Sequence, residues 1–206
     1  MKHKLSRRER VRQETTDNIL SIAREEMREN GVAALSLGVI ARRLGMRTPS
    51  LYNYFDSKHA IYDELFRRGF TEFGRYMDNR PHQNGPLRDN LISAMGTYMR
   101  FAQENPELYQ LLFQRPVPGF APSEASMAVS LAQLEAARAQ FAAVFSSDEL
   151  ETNLPVDEAL DIYIALQHGL TELHLANNPE LPVGEGRFGK LVEQAVQLVL
   201  DAWQKS

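Results

Sequence analysis

Arg47, Thr48, Ser50, Tyr52, Asn53 and Tyr54 fall in one short stretch, followed closely by Lys58. On a helix starting near Thr48 they are the positions left outside once Leu51 and Phe55, four apart, turn inward. A solvated helix face usually carries Glu and Lys pairs, whereas this one carries two tyrosines and a set of hydrogen-bonding groups. Such a set suits a DNA groove, where arginine can pair with guanine N7 and O6 and short polar side chains can meet base edges or phosphates. Tyr52 and Lys58 fit phosphate contacts, the latter helped by the free N–H groups of a helix beginning there. Arg47 and Thr48, with Ser50 or Asn53, fit base edges.

One other cluster could carry chemistry. His168 and Glu172 are spaced i, i+4 and could share a metal ion, but His174 lies two residues beyond Glu172 and points away. Two ligands make a poor site, and the other reading is a core histidine with its hydrogen bonds satisfied. There is no Gly-x-Ser-x-Gly, phosphate-cradling glycine loop, His-Glu-x-x-His or cysteine. The expectation is therefore a protein with no catalytic set, metal or cofactor.

The elements positioning the first cluster are legible. Leu37, Ile40, Ala41 and Leu44 recur at i, i+3, i+4 and i+7, giving a short helix with one apolar stripe. Gly45 can take the left-handed conformation that ends it. Thr48 can cap a second helix over 48–55, with Pro49 pre-set for its first position. Two short helices joined by a glycine turn form a helix-turn-helix. Residues 1–12 hold six basic residues against Glu9 and read either as a mobile arm that lies along phosphates or as a solvated tail. A first helix is expected from about 15–17 to Asn30-Gly31, completing a bundle with core Ile22, Met27, Leu35, Leu37, Ile40, Leu44, Leu51 and Phe55.

Ser36, Ile40, Ala41, Leu44-Gly45, Ser50-Leu51-Tyr52, Tyr54-Phe55 and Ser57-Lys58 together closely resemble the DNA-binding motif of the TetR family of bacterial transcriptional regulators. The resemblance covers the N-terminal quarter. It implies a DNA-contacting set of Ser36, Arg47, Thr48, Pro49, Ser50, Tyr52, Asn53, Tyr54 and Lys58.

Charge divides along the same line. The whole chain carries −4, but residues 1–80 hold 16 basic and 11 acidic residues and residues 81–206 hold 7 and 16. A basic head on an acidic remainder is the pattern of a nucleic-acid reader with a separate non-binding part. With 206 residues, 43% hydrophobic and 24% charged, the chain can bury a core without disulfides or metals. No apolar run is long enough to span a bilayer and no apolar segment follows the basic N-terminus, so a soluble, cytoplasmic protein is expected.

Beyond residue 57 only helical periodicity appears. Helices are expected from 58 past 74, over 87–103, 106–114, 124–145, 155–176 and 187–204, with loops at 79–86, 115–123, 146–155 and 177–186. The expected fold is all-α, about nine helices, with a DNA-binding domain over 1–57 and a ligand-binding and dimerisation domain over 58–206. Asn105 to Phe113 and Gln167-His168-Gly169-Leu170 resemble a TetR-like ligand-binding domain of the type ending in Trp-His-Gly. The tryptophan usual about one turn before the His-Gly pair is absent, with Ile164 near that place.

The resemblance implies a pocket. Met95, Tyr98, Met99, Tyr109, Phe113, Phe120, Met127, Phe141 and His168 offer adaptable apolar walls with Tyr and His as polar handles; their other reading is plain core. The last two long helices are apolar on more than one face; one reading is a fully buried helix in a monomer, and the expected one sets the second face against a symmetric partner. That assigns Ala165, Gly169, Ala176, Val196, Val199, Leu200 and Trp203 to a dimer interface. The function expected is a homodimeric repressor on a palindromic double-stranded DNA operator, released by a small hydrophobic effector. The alternative is a helical ligand-binding or scaffold protein whose N-terminal bundle contacts a protein.

Overall fold

A computed structural model describes residues 6–81, 85–145 and 154–203. Lys2 and Lys4 of the basic segment, and 146–153 of the expected acidic loop, lie outside the described residues. Every regular element among the described residues is helical: α1 Arg7–Asn30, α2 Leu37–Arg43, α3 Thr48–Leu51, α4 Lys58–Asp78, α5 Leu87–Glu104, α6 Pro106–Tyr109, α7 Glu124–Phe145, α8 Val156–Asn177, α9 Gly186–Gly189 and α10 Val192–Trp203. A 3₁₀ turn, Val32–Ala34, follows α1, and α6 runs on as a π-helix, Gln110–Gln114. The all-α expectation holds. The expected last helix is broken into α9 and α10 by a turn at Lys190 and Leu191.

By packing the chain forms two compact units, Met1–Gly69 with Pro106–Met127, and Phe70–Asn105 with Ala128–Ser206. In the first unit, α1 begins eight residues or more before the start expected from apolar periodicity, which corrects the reading of Arg7 to Arg12 as an arm. The reason is a capping box: Ser6 Oγ accepts from Glu9 N at 3.3 Å and Glu9 Oε2 accepts from Ser6 N at 2.7 Å. Of the expected core, Met27, Leu35, Ile40 and Leu51 are fully buried, while Ile22, Leu37, Leu44 and Phe55 are half-buried. Ile19, Leu20, Ala23, Ile61, Tyr62 and Leu65 are among the other residues of this core. The Tyr62 hydroxyl donates to Val32 O at 2.5 Å, and burial pushes its pKa up to about 12.

The segment Pro106–Met127 joins this unit through a buried carboxylate. Glu107, with no side-chain exposure, accepts from Arg28 Nε at 2.9 Å and from Arg24 Nε at 3.1 Å. Leu108 and Leu112 then lie so close to Gly69 that a Cβ there would stand 3.1 Å from Leu112 Cδ2. Ser123 N and Oγ both donate to the Asp63 carboxylate, at 2.7 and 2.9 Å.

The second unit packs α5, α8 and α10 around Met95, Met99, Tyr163, Val196, Val199, Leu200 and Trp203. Phe141 of α7 packs against this cluster, and the Tyr163 hydroxyl donates to Leu91 O at 2.7 Å. This corrects the dimer assignment of Val196, Val199, Leu200 and Trp203. They are at most 5% exposed inside the unit's own core, because the strongly apolar stripe of α10 faces inward. Ala165, Gly169 and Ala176 are exposed as expected, on a face of α8 that also shows Ile162, Leu166 and Leu173.

Candidate nucleic-acid interface

Apolar spacing sets α2, and Gly45 at φ 64° turns the chain, with Gly45 N donating to Arg42 O and Met46 N to Ala41 O. Helix α3 starts one residue earlier than a Thr48 cap requires. Arg47, in extended conformation, is the N-cap, Thr48 is the first helical residue and no side chain caps the turn. The Thr48 hydroxyl is thereby left for another partner. Helix α3 ends at Leu51, and Tyr54 N and Phe55 N both donate to Leu51 O, so the expected 48–55 helix is one helical turn followed by a tight turn.

This geometry exposes most of the expected set. Arg47, Pro49, Tyr52 and Asn53 are exposed, with Thr48, Ser50 and Lys58 half-exposed. Ser36 is the N-cap of α2, its hydroxyl oxygen accepting from Val39 N at 3.4 Å. Tyr54 is the exception: it is half-buried, with the Arg12 guanidinium 5.3 Å from its ring centroid, so it packs towards α1 rather than standing outside. Ser57 Oγ accepts from Ala60 N at 3.1 Å to start α4, and Lys58 Nζ lies 5.9 Å from the Tyr62 ring.

The structure adds cations that apolar periodicity had set aside. Arg42 is exposed and has no ion pair among the described residues, while its neighbour Arg43 is tied to Glu25 and Glu29 of α1. Arg67 and Arg68 both pair with Glu64, and Arg68 also pairs with Asp17. Arg12 is brought beside α3 because the capping box extends α1 through it, a signal present at Ser6 and Glu9.

Residues 19–65, which contain this helix-turn-helix, match the description "Bacterial regulatory proteins, tetR family", and residues 91–199 match "Tetracyclin repressor-like, C-terminal domain". The chain belongs to the TetR family. TetR-family proteins are transcriptional regulators, a non-enzymatic class. An HTH-type transcriptional regulator of Mycobacterium tuberculosis, Rv1816, is 26% identical over 130 residues, 62% of this chain and 56% of that protein. YobS of Bacillus subtilis is 33% identical over 97 residues, 47% of this chain and 50% of that protein. The chain thus spans about half the length of these relatives. The same fold occurs in a TetR-family regulator from Chloroflexus aurantiacus, with TM-score 0.71 and 18% identity over 94% of this chain and 95% of that one. It occurs also in FadR from Bacillus subtilis in complex with stearoyl-CoA, with TM-score 0.70 and 16% identity over 90% of this chain and 98% of that one.

The residues expected to line an effector pocket divide between the two units of this TetR-family chain. Tyr109, Phe113, Phe120 and Met127 belong to the first, where Tyr109 and Phe113 pair at 5.6 Å and Phe120 meets Tyr62 at 5.6 Å. Met95, Tyr98, Met99, Phe141 and His168 belong to the second. There the Tyr98 hydroxyl lies 3.0 Å from the His168 ring nitrogens, and Phe73 meets Tyr98 edge-on at 5.8 Å. Burial lowers the His168 pKa, and the nearby Glu172 carboxylate acts in the opposite direction. Among the described residues no group of three or more His, Cys, Asp or Glu is placed to hold a metal. No helix among them is long and apolar enough to cross a membrane.

Proposed function

We propose that this chain is a cytoplasmic, homodimeric repressor that reads a two-fold symmetric operator and is released by a largely apolar small molecule. Residues 1–57 would do the reading and 58–206 the sensing and pairing. The observation that carries the reading is the exposed set Arg47, Tyr52 and Asn53 with half-exposed Thr48, on and beside α3, flanked by Arg42, which has no ion pair among the described residues, and by the arginine-rich start of α1. Arg47 and Thr48 meet base edges, while Tyr52 and Lys58 hold phosphates. The stripe Ile162, Ala165, Leu166, Gly169, Leu173 and Ala176, which lies exposed along α8 at helical spacing, supports the dimer reading. Tyr98 and His168 supply the polar handle of the effector site, and FadR, a regulator of the same fold, holds stearoyl-CoA.

The test is binding of the purified protein to the DNA upstream of its own gene, followed by fluorescence anisotropy across a salt series. Each neutralised phosphate contributes about −0.9 to the slope of log affinity against log salt. A steep slope is expected. Salt-independent binding, or none to any double-stranded fragment of the neighbourhood, would leave the protein-scaffold reading in its place.

A further inference from the structure

A cleft of about 460 Å³ opens in the second unit between α5 and the chain leading into α10. This volume is in the range of small-molecule sites, about 300 to 1,000 Å³. One wall is the stripe Arg88, Gly96, Thr97 and Arg100 of α5; the other includes Val183 and Lys190. Gly96 keeps the floor low, since a Cβ there would already touch Val183 Cγ1 at 3.7 Å.

The charges are unevenly used. Arg88 is neutralised by Glu193 at 3.3 Å and Asp89 at 3.7 Å. Arg100 and Lys190 are exposed and have no ion pair among the described residues. Thr97, in the wall of the same cleft, is only 3% exposed, and its Oγ1 is buried with no hydrogen-bond partner among the described residues. Buried hydroxyls are normally satisfied, and a lone one in a cleft with two unneutralised cations lacks an acceptor.

We propose that this cleft binds a small oxyanion, a carboxylate or phosphate group on a short apolar body. Arg100 and Lys190 supply the charge, Thr97 donates the hydrogen bond, and Val183 packs against the body. Thr97 and Tyr98 are successive residues of α5, about 100° apart around the helix, and Tyr98 meets His168. The anion site is therefore separate from the Tyr98–His168 pair and stands whether or not the apolar effector reading holds.

The test is amide NMR of the intact protein titrated at constant ionic strength with inorganic phosphate and, separately, with butyrate. Saturable shifts are expected at Thr97, Gly184 and Lys190, and the tighter probe names the anion. Arg100→Gln with Lys190→Gln should weaken binding about tenfold, equivalent to about 1.4 kcal/mol. Both are exposed and have no ion pair among the described residues, so the double variant should fold. Thr97→Val should weaken binding several-fold, and Gly96→Leu should abolish it by filling the floor. Shifts that do not saturate, that chloride reproduces, or that survive the double substitution overturn the proposal.

Discussion

Glu107→Gln tests what holds Pro106–Met127 in the first unit. The carboxylate has no exposure, and its two oxygens take hydrogen bonds from Arg24 and Arg28 at 2.9 to 3.1 Å. Glutamine keeps the shape but removes the charge, and its NH₂ faces an arginine N–H, donor against donor. Breaking a buried ion pair by removing one partner costs about 3 to 5 kcal/mol when the survivor stays buried. Arg24 and Arg28 are 28% and 53% exposed and can turn towards water. That brings the expected loss down to about 2 to 3 kcal/mol, the scale of losing charge-assisted hydrogen bonds. Arg28→Gln leaves Arg24 in place and should cost about 1 kcal/mol. Urea unfolding followed by circular dichroism gives the global figure. Hydrogen exchange at Leu108, Leu111 and Leu112 reports whether the segment opens by itself first. A Glu107→Gln protein within about 0.5 kcal/mol of wild type, the scatter of ordinary surface substitutions, with unchanged exchange there, would refute the reasoning.

Lys58→Ala should weaken operator binding evenly across sequences, whereas Arg47→Ala should relax preference at particular base pairs by about 1 to 3 kcal/mol; equal effects on matched and scrambled operators in anisotropy would reverse those roles. Leu166→Asp places a charge on the exposed α8 stripe and should shift a dimer to monomer in sedimentation, while Leu200→Ala should leave the assembly intact and cost about 2 to 5 kcal/mol of core stability. Sedimentation of wild type as a monomer at micromolar concentration would defeat the dimer. The His168 pKa lies below its ordinary 6.5 because burial disfavours the cation. Between those two values the unfolded chain binds more protons, so this contribution to stability is complete above about 6.5 and lost as pH falls through the folded pKa. His168→Gln should remove that part of the acid sensitivity in urea midpoints.

The helix-turn-helix was legible because every signal for it is local: the Leu37 to Leu44 stripe, the Gly45 stop, and the crowding of polar and aromatic groups after Arg47. The start of α1 was equally local, but it was written in Ser6 and Glu9 and obscured by the arginines around them. Two-faced apolar helices were legible as such, yet periodicity does not say which face meets which partner. Val196, Val199, Leu200 and Trp203 turned out to serve the unit's own core. The packing of Pro106–Met127 with the first unit rests on Glu107 meeting Arg24 and Arg28 from 83 and 79 residues away, and no local pattern predicts such a pair.

Regulation in the proposed repressor has to pass along the chain at the places where it changes unit. Those places are 69/70, within α4; 105/106, where only Asn105 separates α5 from α6; and 127/128, within α7. The first and third lie within continuous helix, and at the second a single residue joins two helices. To move a two-state protein from 1:99 to 99:1, a ligand must favour the released state by about 5.5 kcal/mol. A flexible linker would dissipate that preference in its own conformations. Helix α4 begins at Lys58 and runs unbroken past Gly69 and Phe70 to Asp78. Gly69 sits at the crossing and touches Leu108 and Leu112, so the π-helix that follows α6 is packed at the point where α4 leaves the first unit. Alanine there adds helix propensity of about 1 kcal/mol and a 3.1 Å contact with Leu112. A change in effector response with operator affinity unchanged is therefore the signature that this crossing carries the signal.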